Sequence, residues 1–138
     1  MARIIAIDYG KKRCGLAWTD PLQMIATRLE PCPTPELEQR LAKCIATEEV
    51  ETLVLGYPTR TDGSHTHATA EVEQLAQRLR SHYPDLKLEL FDERFSTQEA
   101  KAAMLAGGAK KKKRQDKALI NSVAATIILQ HYLESIGK

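Results

Sequence analysis

The amino-acid sequence predicts one α/β domain built on a mixed five-stranded sheet, three antiparallel strands followed by two parallel ones, with helices on both faces. Three observations predict this class. The first thirty residues hold three short apolar segments without a helical pattern between them. Helical and strand patterns then alternate to the end of the chain. A length of 138 residues suits a single core, so we expect one domain over residues 1–138.

The three antiparallel strands are predicted near the N-terminus. Residues 3–8 are rich in isoleucine and are followed by Gly10, as expected of a buried strand that leads into a turn. Residues 14–19 and 24–30 read as two further strands. The connections between them are short, which favours an antiparallel meander.

Helices and strands alternate in the next sixty residues. Thr34 and Pro35 predict a helix N-cap and its first helical residue, and apolar residues recur at helical spacing up to Ile45. Residues 52–56 form the continuous apolar run of a strand covered on both faces. A polar loop over residues 57–67 leads to a helix that ends near His82. Residues 86–90 then alternate leucine with charged residues, as a strand does.

Two helices are predicted to complete the domain. Ser96 and Glu99 have the spacing of a capping box, and the pair Gly107 and Gly108 ends that helix. A basic segment, residues 109–115, leads to a last helix that opens near Asp116. Its predicted apolar stripe consists of Leu119, Ile120, Val123, Ile127 and Leu133.

The composition limits the class of protein. Hydrophobic residues make up 43% and charged residues 28% of the chain, as in ordinary globular proteins. Three widely spaced cysteines form neither a disulfide framework nor a zinc motif, which favours a reducing compartment. The N-terminus lacks a signal-peptide pattern, and no segment approaches the ~20 apolar residues that cross a bilayer. We therefore expect a cytoplasmic protein without a membrane partner.

Two acidic segments are expected to meet at one edge of the sheet. Asp8 ends the first strand, and Asp92 with Glu93 ends the fifth. Ligands of such sheets gather at strand ends where the strand order reverses. Successive strand residues point to opposite faces, so only one of Asp92 and Glu93 can face Asp8. The residues alone also allow a turn-forming aspartate and a surface ion-pair cluster, in which Arg94 either holds a phosphate or neutralises its neighbours.

Four motifs in this order resemble the YqgF/RuvX family over residues 3–133. They are Asp8-x-Gly10, Gly56-x-Pro58, Asp92-Glu93-Arg94 before Ser96-Thr97, and Ala-Thr-Ile-Ile-Leu-Gln in the last helix. The resemblance implies an RNase H-like fold related to Holliday-junction resolvases. It also implies a nuclease that matures the 5′ end of the small-subunit ribosomal RNA precursor (pre-16S rRNA) of bacteria.

The resemblance also implies roles for individual residues. Asp8 and Glu93 become the first two catalytic carboxylates and metal ligands. The supporting positions are Asp92, Arg94, Gly10, Gly56 and Pro58. Such chemistry uses one or two Mg²⁺ or Mn²⁺ ions, which stabilise charge on the attacking and leaving oxygens and prefer oxygen ligands.

One position departs from the family pattern. Where the family has a third acid near the start of the last helix, this chain has Asn121, which we take as the third catalytic and metal-binding position. Asn121 keeps an amide oxygen but lacks the charge. Asp116 lies about 140° away around the helix and does not replace it. We expect activity to be low or to need more metal, and Asn121→Asp to raise metal-dependent cleavage.

Basic residues bunch at two places in a chain whose formal net charge is only +2. Charge runs are usually solvated loops, but beside an acidic metal centre the same side chains can follow a phosphate backbone. The predicted nucleic-acid-binding residues are Lys11, Lys12, Arg13, Lys111, Lys112, Lys113 and Arg114.

Three functions fit these residues. The first is a metal-dependent nuclease acting on structured RNA or on branched DNA, the latter as a Holliday-junction-type resolvase. The second is a nucleic-acid-binding module with weak or no catalysis, for which Asn121 is the evidence. The third, an actin-like phosphotransferase suggested by Asp8-x-Gly10, is disfavoured because that architecture needs two such domains. The sequence indicates no oligomeric state.

Overall fold

A mixed sheet forms the centre of the computed structural model, which describes residues 2–57, 67–92, 96–108, 110 and 116–138. The strand order is β3-β2-β1-β5-β6, with β4 beside β2 on the same side as β3. β1 pairs antiparallel with β2, whereas β5 and β6 run parallel to β1. The predicted mixed sheet is confirmed, but the described residues form six strands and not the predicted five, because the short β4 adds to the edge of β2. Its strands are β1 (Arg3–Asp8), β2 (Arg13–Thr19), β3 (Ala26–Arg28), β4 (Cys32–Pro33), β5 (Val50–Tyr57) and β6 (Lys87–Asp92).

Helices cover both faces of the sheet. They are α1 (Leu37–Thr47), which a 3-10 turn (Thr34–Glu36) precedes, α2 (His67–His82), α3 (Ser96–Ala106) and α4 (Lys117–Ser135). α1 and α2 pack on one face, α4 packs on the other, and α3 packs on α4. Within the described segments no helix is both long enough and apolar enough to cross a membrane.

Strand alternation divides β1 between two cores. Ile5 and Ile7 are buried with the side chains of α1 and α2. Ile4 and Ala6 are buried on the other face, against a cluster on α4 that includes Ala125, Ile128 and Leu129. Because alternate residues of a strand share a face, Asp8 lies on the α4 face with Ile4 and Ala6.

The third strand is shorter than the predicted residues 24–30. Asp20 accepts hydrogen bonds from the backbone N–H groups of Leu22, Met24 and Ile25. These bonds lower the pKa of Asp20, and the bond from Ile25 lowers it most. They hold the turn in a shape that leaves Met24 72% and Ile25 66% exposed. Regular pairing therefore begins only at β3, and β4 continues it along the edge of β2.

The prediction that Thr34 caps a helix is wrong. Residues 34–36 form a 3-10 turn without a side-chain cap, and α1 begins at Leu37. The Thr34 hydroxyl instead donates a hydrogen bond of 2.6 Å to the carbonyl oxygen of Gly10. The Thr34 hydroxyl, which the local sequence pattern predicts to cap the helix, is thus taken up by a hydrogen bond to a residue distant in the sequence.

The last helix begins as predicted but is buried on more than one side. Asp116 caps it, because its carboxylate accepts a hydrogen bond of 3.4 Å from the N–H of Leu119. One side of α4 packs on the sheet and another on α3. A single apolar stripe therefore omitted buried positions such as Ala124, Ala125 and Ile128.

Gly15 lets the backbone of α4 approach β2 closely. A Cβ atom at this position would overlap the carbonyl group of Asn121 and would lie 2.5 Å from the backbone nitrogen of Ser122. Glycine inside a strand commonly marks such an approach. Gly15 pairs with Asp8 across β1 and β2, so α4 passes directly beside the end of β1.

We predict that Gly15→Ala lowers the free energy of unfolding by about 3 kcal/mol, because the new methyl group meets backbone atoms that cannot rotate away. Urea unfolding measures this change. Gly107→Ala is the control, since a Cβ there would lie 3.4 Å from the nearest atom outside its neighbours. We expect the control to change stability by less than about 0.5 kcal/mol. Equal effects of the two substitutions would contradict the close approach.

Candidate functional site

Asp8 is a buried carboxylate at the carboxyl end of β1. Its exposed fraction is 6%, and it lies on the sheet face covered by α4. On the neighbouring strand β5, the residue after the Ile7–Leu55 pair is Gly56, which adds no side chain beside Asp8. The cost of burying a carboxylate restricts it to sites with compensating donors or cations. Asp8 therefore has the placement of a functional acid.

Asp92 lies on the face opposite to Asp8. In the β5–β6 register Gly56 pairs with Phe91 and Tyr57 with Asp92. Phe91 is on the α4 face, where its ring contacts that of Tyr132 edge-on with centroids 6.1 Å apart. The next residue, Asp92, therefore points toward the α2 face. The predicted site residues Glu93, Arg94 and Pro58 lie outside the described residues.

Asn121 anchors the start of α4 to the hairpin between β1 and β2. Its amide nitrogen donates a hydrogen bond of 3.0 Å to the carbonyl oxygen of Arg13. The next residue, Ser122, is fully buried and donates a hydrogen bond of 3.2 Å to the carbonyl oxygen of Leu29. Two consecutive helical side chains thus fasten α4 to two separate segments, and the first of them is the predicted third site residue.

Gly10 is enclosed in the same hairpin. Its carbonyl oxygen accepts the Thr34 hydroxyl, and a Cβ atom on Gly10 would overlap the Arg13 carbonyl and lie 2.8 Å from Nδ2 of Asn121. Glycine is therefore required at this position by space. The predicted supporting role of Gly10 has a physical basis in the packing of the hairpin against α4.

Two tyrosines tie the other face of the site to α2. Tyr9 donates a hydrogen bond of 3.0 Å to Glu71, and Tyr57 donates one of 2.6 Å to Glu73. Burial, with the Glu71 carboxylate second, raises the pKa of Tyr9 to about 12. The Glu73 hydrogen bond is the main cause that raises the pKa of Tyr57. Both phenols thus remain protonated donors at neutral pH and hold the first turns of α2 near the ends of β1 and β5.

A basic pocket of about 470 Å³ opens on the α4 side of the hairpin. The described residues that line it are Gly10, Lys11, Lys12, Arg13, Lys101, Ile120 and Asn121. It brings the predicted binding residues of the hairpin together with Asn121. Lys101 is a residue that the sequence reasoning missed, because it stands in α3 outside any motif or charge run. Lys111, Lys112, Lys113 and Arg114 lie outside the described residues.

Two side chains in the described part of the site, Asp8 and Asn121, carry oxygen atoms of the kind that bind hard cations. The Asp8 carboxylate and the Asn121 amide lie on the same face, and no histidine or cysteine lines the pocket among the described residues. Within the same residues no group of three His, Cys, Asp or Glu side chains is placed to hold a metal ion. The donor types suit a hard cation, and the second predicted acid, Glu93, falls outside the described segments.

The model of a family described as "RuvX: Holliday junction resolvase" matches residues 2–135 of this chain. The chain belongs to the RuvX family. A Phocaeicola vulgatus protein named "Putative pre-16S rRNA nuclease" is 46% identical to this RuvX chain, over 98% of the chain and 97% of that protein. A Bacteroides thetaiotaomicron protein of the same name is 44% identical, over 98% of each.

Solved structures of junction resolvases share the fold of this RuvX chain. The fowlpox virus Holliday junction resolvase matches with a TM-score of 0.57 at 12% identity, over 96% of this chain and 99% of its own. T. thermophilus RuvC, in complex with a Holliday junction substrate, matches with a TM-score of 0.56 at 16% identity, over 99% of this chain and 97% of its own. These matches confirm the predicted RNase H-like fold.

We predict that Asn121→Asp lowers the free energy of unfolding by about 1 kcal/mol in buffer containing EDTA, because a carboxylate cannot donate to the Arg13 carbonyl. Gln130→Glu is the control, since it makes the same amide-to-acid change at an exposed position of α4. Its effect should stay within about 0.5 kcal/mol. Urea unfolding compares the two, and an Asn121→Asp protein as stable as the parent would contradict the anchoring role.

Proposed function

We propose that this RuvX chain is a nuclease that hydrolyses phosphodiester bonds during 5′-end maturation of pre-16S rRNA. The observation that carries the proposal is the placement of Asp8, a buried acid at a strand end beside a pocket lined by basic side chains. A catalytic carboxylate must stand next to groups that hold the phosphate backbone, and this arrangement supplies both. Relatives that share nearly the whole chain carry the name "Putative pre-16S rRNA nuclease".

We assign Asp8 and Glu93 as the first and second catalytic carboxylates. Asp92 ends β6 on the α2 face, so it is poorly placed to act together with Asp8. Glu93 is the acid that follows it in the sequence, and we assign it as the partner of Asp8. Asp92, Arg94, Gly56 and Pro58 keep supporting roles in this proposal, with Arg94 as a candidate phosphate contact.

One or two Mg²⁺ or Mn²⁺ ions are the cofactor that this donor set suits. Asp8, Glu93 and Asn121 would hold them through oxygen atoms. When bound, such ions stabilise negative charge on the attacking and leaving oxygens and ease deprotonation of water. Asp8 contributes charge and position, whereas Asn121 contributes an amide oxygen and no charge.

The uncharged third position supports low activity or a high metal requirement. The gain in cleavage rate expected from Asn121→Asp is offset in part. The substitution also removes the hydrogen bond that the Asn121 amide donates to the Arg13 carbonyl. The same hydrogen bond favours a second candidate function, a nucleic-acid-binding module with weak catalysis. In that case Asn121 is kept for its structural bond, and the basic pocket carries the function.

The charges at the strand ends favour approach of nucleic acid from the α3 and α4 side. Lys11, Lys12 and Arg13 line the pocket there, whereas Glu71 and Glu73 lie on the α2 side. Residues 111–114 are proposed as further phosphate contacts. We also propose that residues 1–138 act as one nuclease domain in the cytoplasm. The three free thiols, Cys14, Cys32 and Cys44, suit a reducing compartment.

We predict that Asp8→Asn and Glu93→Gln each lower the rate of single-turnover cleavage by about a thousandfold or more, because each removes a catalytic charge. Asp92→Asn is the matched control: it makes the same change one residue away, and we expect it to lower the rate less than about tenfold. The assay uses labelled precursor rRNA and a four-way DNA junction with Mg²⁺ or Mn²⁺.

Each outcome of that assay separates the candidates. Cleavage of the precursor that depends on Asp8 and Glu93 supports the nuclease, whereas binding without cleavage supports the module. Preferential cutting of the junction would assign a resolvase instead. If Asp92→Asn costs as much as Glu93→Gln, the assignment of Glu93, and not Asp92, as the second catalytic acid fails.

We predict that replacing Lys111, Lys112 and Lys113 together by alanine flattens the salt dependence of RNA binding. For single strands, each phosphate that a lysine no longer neutralises should reduce the slope of log affinity against log salt by about 0.7, so the slope should fall by about 2. Fluorescence anisotropy over a salt series measures it. An unchanged slope would show that these lysines make no phosphate contacts.

A further inference from the structure

The basic pocket is assembled from three separate parts of the chain. The β1–β2 hairpin supplies Lys11, Lys12 and Arg13, α3 supplies Lys101, and α4 supplies Ile120 and Asn121. Lys101 is 88 positions beyond Arg13 in the sequence, so only the folded chain brings these cations together. The pocket is therefore a tertiary feature, and a charged loop alone would not produce it.

The position of Lys101 is fixed by the packing of α3 on α4. Its neighbours on the same helix, Ala100 and Met104, are buried against Ile120, Ala124 and Ile127. α4 is in turn fastened to the hairpin by the Asn121–Arg13 hydrogen bond. Both helices hold their register through buried contacts, so an exposed lysine at position 101 is presented to the pocket by the core beneath it.

The positive charges of the pocket favour an anionic ligand. Four cationic side chains line one concave surface, and none of the described residues that line it carries a carboxylate. Like charges gathered in one pocket repel, and a bound anion relieves that repulsion. A volume of about 470 Å³ admits a phosphate together with the sugar to which it is joined, with the side chain of Ile120 as an apolar wall.

The short chain segment between Asp8 and Gly10 indicates which phosphate this is. Gly10 lines the pocket and follows Asp8 by two residues, so their Cα atoms are at most about 7 Å apart. That reach is comparable with one nucleotide step. A phosphate in the pocket and a phosphate at Asp8 can therefore belong to neighbouring nucleotides of one strand.

We propose that Lys101, with Lys11, Lys12 and Arg13, binds the backbone phosphate next to the bond that is cut. The inference rests on the proposed nuclease function and names the part of the substrate that this pocket holds. Lys101 is a binding residue here, and it takes no part in the bond-breaking step. The substrate strand must then extend at least one phosphate beyond the cleaved bond on the pocket side.

The test measures binding of a labelled single-stranded RNA that spans the precursor cleavage region, in EDTA so that the RNA stays intact. We expect Lys101→Ala to weaken binding about fivefold and to reduce the slope of log affinity against log salt by about 0.7. Lys101→Arg should restore both values. The control is Lys43→Ala, an exposed helical lysine of α1 on the opposite face of the sheet, which should change neither.

A substrate scan locates the phosphate. Single phosphates of the same RNA are replaced in turn by uncharged methylphosphonates. One position should weaken binding to the wild-type protein about fivefold and weaken binding to Lys101→Ala less, since one of the four partner charges is already gone. Cleavage of the unmodified RNA with Mg²⁺ should fall next to that position.

The results distinguish this inference from the function on which it rests. Equal binding and equal salt slopes for wild type, Lys101→Ala and Lys43→Ala overturn the pocket and leave the nuclease in place. If binding depends on Lys101 but no RNA is cleaved, the proposed nuclease function is rejected and the pocket is supported as a phosphate-binding site. A sensitive phosphate far from the cut overturns the assignment to the neighbouring nucleotide. A chain that binds no RNA overturns both.

Discussion

The close approach of the α4 backbone to β2 at Gly15 is the constraint on which the rest of the site depends. No side chain at Gly15 separates the helix from the strand, so the first turns of α4 lie on the sheet beside Asp8. Asn121 and Ser122 fasten the helix there by donating to the carbonyl groups of Arg13 and Leu29. Since α3 packs on α4, the same contact also sets where Lys101 lies.

The sheet separates two kinds of charge at its carboxyl edge. On the α2 face, the acids Glu71 and Glu73 accept hydrogen bonds from Tyr9 and Tyr57. These hydrogen bonds hold α2 against the ends of β1 and β5. On the α4 face, cations surround a pocket two residues beyond Asp8. A polyanion is attracted to one side of the strand ends and repelled from the other. The fold thus orients a nucleic acid before any residue makes a specific contact.

Local patterns predicted those features that depend on local physics. β1 was predicted to the residue because its apolar run is bounded by Asp8 and Gly10, and the cap at Asp116 follows from its own helix. Predictions failed where a distant partner competes: the Thr34 hydroxyl bonds to Gly10 instead of capping a helix. Lys101 could not be predicted from the sequence, because neither the spacing of motifs nor the composition indicates that α3 packs on α4.

In the proposed nuclease, the side chain of Asn121 would both limit catalysis and support the fold. An aspartate there would add the charge that a second metal ion needs, but it would place two acceptors, its own carboxylate and the Arg13 carbonyl, against each other. The amide removes that conflict, because its nitrogen donates to Arg13 while its oxygen can still face a cation. The chain therefore keeps a hydrogen bond that holds the hairpin beside Asp8, and the proposed metal site carries one charge fewer.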